Sequence, residues 1–364
     1  MNDRKKFNKH YSNNRELLHG INLTKDDLRR VIKECIFIEP FAGECDLIEH
    51  FRDIMNVLTN RIVLMDITKI NPIEPIPGVR IEYKQMDTLL NDPFKQHRCK
   101  QFVITNPPYT AKNKLTPKQK RKYDSILDSN TNDLYQIFIK QLLMNADKIN
   151  GGVIIVPVNF MLGKQTHALR DAFLNAFDIY HLNIFEKQMF EHTTQSTITL
   201  VFTHKRFNIK RYKVYLHTER SVEIINMREF ERILSFSFDS YFHLRTINSN
   251  TIRACRNFNI ATPFIVSNIK VSLIDPKMFA FIDKTNKDTQ DKVSDRSIMR
   301  VCFTRRFTTT EEERICELFN KHLQNIRTRT HSLVLTSYRE KSRKRLTFEE
   351  AYKMLEYIVN EELV

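Results

Sequence analysis

Between about residue 21 and residue 204, short apolar runs alternate with stretches of helical period. No other feature restricts the fold as much. The runs are 35–40 (CIFIEP), 61–66 (RIVLMD), 79–87 (VRIEYKQMD), 101–109 (QFVITNPPY), 151–158 (GGVIIVPV) and 196–202 (STITLVF). Between them lie amphipathic stretches such as 46–58 and 133–146. A strand apolar at nearly every position is covered on both faces, which suits a parallel sheet flanked by helices. The expectation is an α/β domain with a Rossmann-like, mostly parallel sheet. In open sheets of this kind ligands sit beyond the carboxyl ends of the strands. The residues that follow each strand therefore matter most.

The texture changes near residue 205, and two regions are expected, 1–204 and 205–364. In the second, RYKVYLHTE and IVSNIKVSLID alternate like half-exposed strands, and 283–297 is polar and linker-like. Thr310 with Glu313 reads as a capping box before Ile315, Leu318, Phe319, Leu323 and Ile326 on one helix face. Thr347 with Glu350 reads as another, before Ala351, Leu355 and Ile358. A smaller α+β region follows from these signals. It is also basic. The chain carries 58 Lys and Arg against 43 Asp and Glu, a net +15, and 205–364 holds 30 basic against 20 acidic groups. That excess suits a polyanionic partner such as nucleic acid.

Other classes recede. The longest apolar run, 151–163, is broken by Pro157 and Asn159 and is too short to span a bilayer. No apolar stretch follows the opening MNDRKKFNKH, so no secretory signal, no membrane and a cytoplasmic location are expected. The six cysteines, Cys35, Cys45, Cys99, Cys255, Cys302 and Cys316, form no C-x-x-C pair and lack zinc-ligand spacing. No metal site is expected, and the scatter fits a reducing compartment.

The strand ends carry the chemistry. The first run leads into Glu39-Pro40-Phe41-Ala42-Gly43-Glu44-Cys45, an acid followed by a tight small-residue turn. Such a turn lets backbone approach a ligand closely. Its few glycines argue against a dinucleotide fingerprint. Asp66, ending the second run, can take both hydroxyls of a ribose. Asp87, ending the third, is placed to accept from an adenine amino group. The fourth ends in Asn106-Pro107-Pro108-Tyr109. Two prolines fix the backbone there. The Asn106 side-chain oxygen and the Pro107 carbonyl can then accept both hydrogens of one exocyclic amine, aiming its lone pair at an electrophile. Tyr109 offers a flat face to a planar substrate.

In this order the motifs resemble the DNA adenine-N6 methyltransferases that use S-adenosylmethionine, in the type II restriction-modification-like group whose cofactor motif precedes the catalytic motif. The resemblance covers roughly residues 10–204. It rests on EPFAG, Asp66, Asp87 and NPPY, then Asp133-Leu134-Tyr135 with Phe138, Gly151 to Pro157 with Asn159 and Phe160, and Phe190 before Gln195-Ser196-Thr197. His10-Tyr11-Ser12 is a weaker counterpart of an N-terminal motif. Glu39 for the commoner Asp and Cys45 for Gly are departures. The resemblance implies a seven-stranded methyltransferase sheet. It implies S-adenosylmethionine held by Glu39, Phe41, Gly43, Asp66, Asp87 and Asn106, and catalysis at Asn106, Pro107, Pro108 and Tyr109. Tyr109 and Phe190 would stack the target adenine, which must leave the duplex to be reached.

Double-stranded DNA is the expected partner, with a cognate restriction endonuclease allowed by the family and a monomer expected. Lys112, Lys114, Lys118, Lys120, Arg121 and Lys122, read as a loop beside the catalytic motif, would meet phosphates, as would Arg343, Lys344 and Arg345. Three other readings stay open: an RNA base methyltransferase, a protein-glutamine methyltransferase, and a non-enzymatic nucleic-acid-binding module.

Overall fold

The computed structural model describes residues 15–363, except residue 188 and the segments 191–195, 210–212, 243–250, 257–263, 273–297 and 336–345. The chain forms two compact units that divide after Met227. The first contains strands β1 (Ile36–Glu39), β2 (Arg61–Asp66), β3 (Arg80–Gln85), β4 (Gln101–Thr105), β5 (Ile149–Pro157), β6 (Phe177–Phe185), β7 (Thr197–His204), β8 (Lys213–His217) and β9 (Val222–Ile225). Its helices are α1 (Asp26–Ile32), α2 (Asp46–His50), α3 (Arg52–Leu58), α4 (Pro117–Tyr123), α5 (Leu134–Met144), α6 (Asn159–Leu162) and α7 (His167–Ala176).

The strands form one sheet in the order β3-β2-β1-β4-β5-β7-β6-β8-β9. β1 to β5 run parallel to one another, and β7 lies antiparallel between β5 and β6. Every residue of β1, β4 and β5 is buried, as their unbroken apolar runs require. β3 lies at the edge and is mostly half-buried or exposed. The order reverses at β1, with β2 on one side and β4 on the other. That reversal opens a crevice at the carboxyl ends of these strands.

Three expectations need correction. The sheet has nine strands, not seven, because β8 pairs parallel with β6 and β9 pairs antiparallel with β8. For the same reason residues 205–227 belong with the first unit, and the division falls later than 204. The helix expected over 46–58 is also two helices. Phe51, between them, has φ −94° and ψ 6°, and its ring is buried while Arg52 reaches back to the carbonyls of Glu74 and Pro75.

The second unit is α+β. It contains α8 (Met227–Leu234), which begins at the division, α9 (Phe238–Phe242), β10 (Ala254–Arg256), β11 (Ile265–Ser272), β12 (Ile298–Phe303), α10 (Thr309–Thr330) and α11 (Phe348–Tyr357). The strands form an antiparallel sheet in the order β10-β12-β11. Its core joins Val271, Val301 and Phe303 to the expected faces of α10 and α11, including Ile315, Leu318, Phe319, Leu323, Ile326, Ala351 and Leu355. Thr347 and Glu350 form the expected capping box. The box of α10 is Thr308 with Glu311, two residues before the expected Thr310 and Glu313. The segment 283–297 lies outside the described residues.

Candidate active site

Parallel pairing brings four groups to one edge of the sheet. Glu39 is the last residue of β1, Asp66 the last of β2, and Asn106 follows β4 directly. β3 stops at Gln85, so Asp87 lies two residues beyond its strand and not at the strand end expected for it.

The turn after β1 is tied to the neighbouring strand. Ala42 N–H donates to the Met65 carbonyl (2.8 Å), and Gly43 N–H donates to Asp66 Oδ2 (3.1 Å). Thr88 Oγ1 donates to the Pro40 carbonyl (2.9 Å), fixing the same turn to the segment after β3. Gly43 has φ +55°, which favours glycine, and a Cβ there would meet no atom within 4 Å. The space above this backbone is open. Cys45 also adopts a left-handed φ, +67°, at a cost of about 1–2 kcal/mol for an L-residue. Its side chain is buried. Burial pushes the Cys45 thiol up to about 12, with Glu39 and three further carboxylates adding to the rise. The departure from Gly therefore keeps the geometry of the turn and adds a neutral thiol, not a nucleophile.

Glu39 is buried, and its Oε2 has no hydrogen-bond partner among the described residues. Burial, then Asp46 and Asp66, push its carboxyl well above the usual range. Asp66 is buried too. Its Oδ1 accepts from Thr68 N–H (2.8 Å) and Thr68 Oγ1 (2.6 Å), which holds the carboxylate beside Gly43. Phe41 meets Phe138 of α5 edge to face at 5.5 Å.

The expected catalytic motif lies where β4 hands over to the next segment. Pro107 is buried, and Asn106 and Pro108 are half-buried. Tyr109 is buried. Its hydroxyl is 2.5 Å from Asn106 Oδ1 and 3.0 Å from the Ile155 carbonyl of β5. Burial and the neighbouring Tyr135 keep this phenol protonated. Phe190 packs against the Tyr109 ring, with centroids 6.3 Å apart and planes at 67°. The structure thus brings Asn106, Tyr109 and Phe190 together. Tyr109 is turned inward onto Asn106, however, and not held open as a platform. Leu134 N–H donates to the Thr110 carbonyl, joining the motif to the start of α5, as the order of motifs implies.

The basic stretch 112–122 is folded, not a loop. It contains a 3₁₀ turn, Lys112–Lys114, and α4, whose Thr116 and Gln119 form a capping box with Pro117 in the first turn. Lys114, Lys118, Lys120 and Arg121 are exposed, and Lys112 Nζ donates to the Asp128 carbonyl. Lys122 is committed to Asp87 at 2.5 Å, and Tyr123 OH donates to the same Asp87 oxygen at 3.0 Å. Sequence reasoning missed Tyr123. Arg343, Lys344, Arg345, Gln195 and His10 to Ser12 lie outside the described residues.

A family model for the Eco57I restriction-modification methylases matches residues 67–190. The matched span includes Asp87, Asn106 to Tyr109 and Phe190. The similarity to restriction-modification methylases covers about a third of the chain. The matched span holds β3, β4, β5 and β6 of the large α/β sheet, and S-adenosylmethionine is the methylase's cofactor.

Among solved structures, the type IIG restriction endonuclease BpuSI is similar at 13% identity and TM-score 0.38, over 65% of this chain and 36% of that one. A type I restriction-modification methyltransferase subunit from Streptococcus thermophilus is similar at 15% identity and TM-score 0.34, over 62% and 54%. The EcoKI M protein is similar at 12% identity and TM-score 0.32, over 56% and 52%. The chain spans about half, or less, of the length of these proteins. No curated protein matches it in sequence.

The residues of the crevice fit the methylase's cofactor. A buried carboxyl oxygen of Glu39 without a partner suits an ammonium group. The open space over Gly43 admits a ligand against backbone, and Asp66 beside it can accept from hydroxyls.

Proposed function

We propose that this chain methylates adenine N6 in DNA. The observation that carries this reading is Asn106-Pro107-Pro108-Tyr109 leaving β4 on the same sheet edge as Glu39 and Asp66. S-adenosylmethionine supplies an electrophilic methyl group when bound. Asn106 Oδ1 and the Pro107 carbonyl accept the two hydrogens of the target amine, and its lone pair turns toward that methyl. Methyl transfer is then a direct displacement that requires no covalent link to the protein, consistent with the neutral Cys45 thiol.

An adenine inside a duplex is paired and stacked, so the base leaves the helix before it reacts. Entry of the amine displaces the Tyr109 hydroxyl from Asn106. The Tyr109 ring and Phe190 then supply stacking, worth about 1–3 kcal/mol per base. Lys114, Lys118, Lys120 and Arg121, exposed beside the motif, meet backbone phosphates. The expected contribution of Arg343, Lys344 and Arg345 belongs to the same reading, as does partnership with a cognate endonuclease. Among the described residues, no helix is long and apolar enough to cross a membrane.

The test is transfer of labelled methyl from the cofactor to duplex DNA, to RNA and to a protein amide, followed by hydrolysis of the labelled product. N6-methyladenine from DNA is expected. Label confined to RNA, protein or a cytosine overturns the reading.

In this reading Glu39, Phe41, Gly43, Asp66, Asp87 and Asn106 line the cofactor site, with Asp66 on the ribose. Replacing Asp66 by alanine also frees Gly43 N–H and Thr68. Cofactor affinity should fall by about 1–3 kcal/mol, the cost of removing hydrogen bonds to a charged group. Calorimetry measures it, and an unchanged affinity moves the ribose elsewhere.

A further inference from the structure

The segment between the proposed catalytic motif and α5 closes on itself. Ala111 and Asp133 form an antiparallel bridge, and Lys112 N–H donates to the Asn132 carbonyl at 2.7 Å. Within it, α4 docks through Leu115, just before it, and Tyr123 at its end, both buried. That docking delivers two donors to one carboxylate oxygen. Tyr123 OH and Lys122 Nζ both meet Asp87 Oδ2, while Leu89 N–H donates to Asp87 Oδ1 at 3.1 Å. A carboxylate offers about four lone-pair positions. Three are taken here, and one is left for a further N–H.

We propose that Tyr123 and Lys122 are positioning residues of the cofactor pocket, which orient Asp87 so that its one remaining acceptor position selects the cofactor's adenine amine. This rests on the reading of Asp87 as the adenine-facing acid. The phenol is suited to the task. Burial, with Asp87 beside it, holds the Tyr123 hydroxyl protonated, so it remains a donor across the working pH range. Lys122 compensates the charge of a carboxylate whose side chain is only 12% exposed. Neither residue needs to touch the cofactor. Each acts by fixing which lone pair of Asp87 faces the purine.

The measurement is calorimetric binding of S-adenosylhomocysteine and of its inosine counterpart, which has a carbonyl in place of the amine, to the full chain. Wild type should prefer the adenine compound, because a carbonyl oxygen facing the remaining lone pair repels it. Tyr123→Phe keeps the ring and the packing but loses the hydroxyl. It should weaken adenine binding roughly fivefold to tenfold, as loss of one hydrogen bond does, and shrink the preference over inosine by a similar factor. Lys122→Met, at a more exposed position, should do the same to about twofold to fivefold.

A merely structural role would weaken both compounds equally and leave their ratio unchanged, which overturns the proposal. So does an unchanged adenine affinity in both variants. If Tyr123→Phe does not fold, as circular dichroism reports, the ratio in Lys122→Met decides. A wild type that binds the adenine compound without preferring it removes Asp87 from the adenine site and this inference with it. A wild type that binds neither compound overturns the cofactor reading itself, and the two failures are thereby distinct.

Discussion

Replacing Asn106 by alanine should lower methyl transfer about a hundredfold to thousandfold or more, the range seen when one preorganised polar group is removed from a developing charge. Cofactor affinity should fall much less, by no more than about tenfold, because Asn106 is one of several residues lining the cofactor site while its main loss falls on the transition state. The fold should tolerate the change. Asn106 is only half-buried, and the Tyr109 hydroxyl that now meets it keeps a second partner in the Ile155 carbonyl at 3.0 Å. Tyr109→Phe makes the contrast. It leaves the Asn106 oxygen for the amine and keeps a ring for stacking, so turnover should stay within about tenfold. Single-turnover transfer at saturating DNA and cofactor measures both variants. Wild-type rates in Asn106→Ala would move the chemistry away from this motif.

What was legible in the sequence is what neighbouring residues decide. Continuous apolar runs announced β1, β2, β4 and β5, and the residues ending or following them marked the edge that holds Glu39, Asp66 and Asn106. β8 and β9 were placed in the wrong unit because they are short, and β9 exposes three of its four residues. Their membership depends on the pairing of β8 with β6, a contact between separate parts of the chain, and β9 follows by pairing with β8. The start of α10 was ambiguous for a different reason. Thr308, Thr309 and Thr310 each have a glutamate three residues on, so three capping boxes are written and only Thr308 with Glu311 is used.

Contacts across the crevice were invisible as well. Tyr123 meets Asp87 from 36 positions away. Nothing in the basic run around Lys122 distinguishes a lysine bound to a carboxylate from one in solvent. The inward turn of Tyr109 likewise depends on Ile155, which lies on the neighbouring strand.

The largest stability effect should come from Gly152→Ala in β5. Gly152 lies opposite Val103 of β4 and Phe202 of β7, so both of its flanks are occupied by backbone. A Cβ there would be 2.4 Å from the Val103 carbonyl oxygen and 2.9 Å from the Phe202 ring. Phe202 cannot easily yield, since it is fully buried and packs at 5.2 Å on Phe173 and at 4.9 Å on Phe177. Glycine is used here for close approach of strands, not for a left-handed turn. Alanine would restrict the unfolded chain and gain about 0.4–1 kcal/mol that way. Overpacking costs typically 1–3 kcal/mol and sometimes more. With a backbone carbonyl oxygen at 2.4 Å as the obstacle the steric cost exceeds the usual range, at about 3–4 kcal/mol, and a net loss of about 2–3 kcal/mol is expected. For a unit of this size that lowers Tm by roughly 4–12 °C. Gly43→Ala is the control, because space there is open and only the φ of +55° resists, at about 1–2 kcal/mol. Urea unfolding of both variants compares the two causes. If Gly152→Ala is no less stable than Gly43→Ala, β5 does not depend on close approach at this position. The effect should also reach the chemistry: β5 carries the Ile155 carbonyl that holds Tyr109, so separating β4 from β5 should lower turnover even where the protein remains folded.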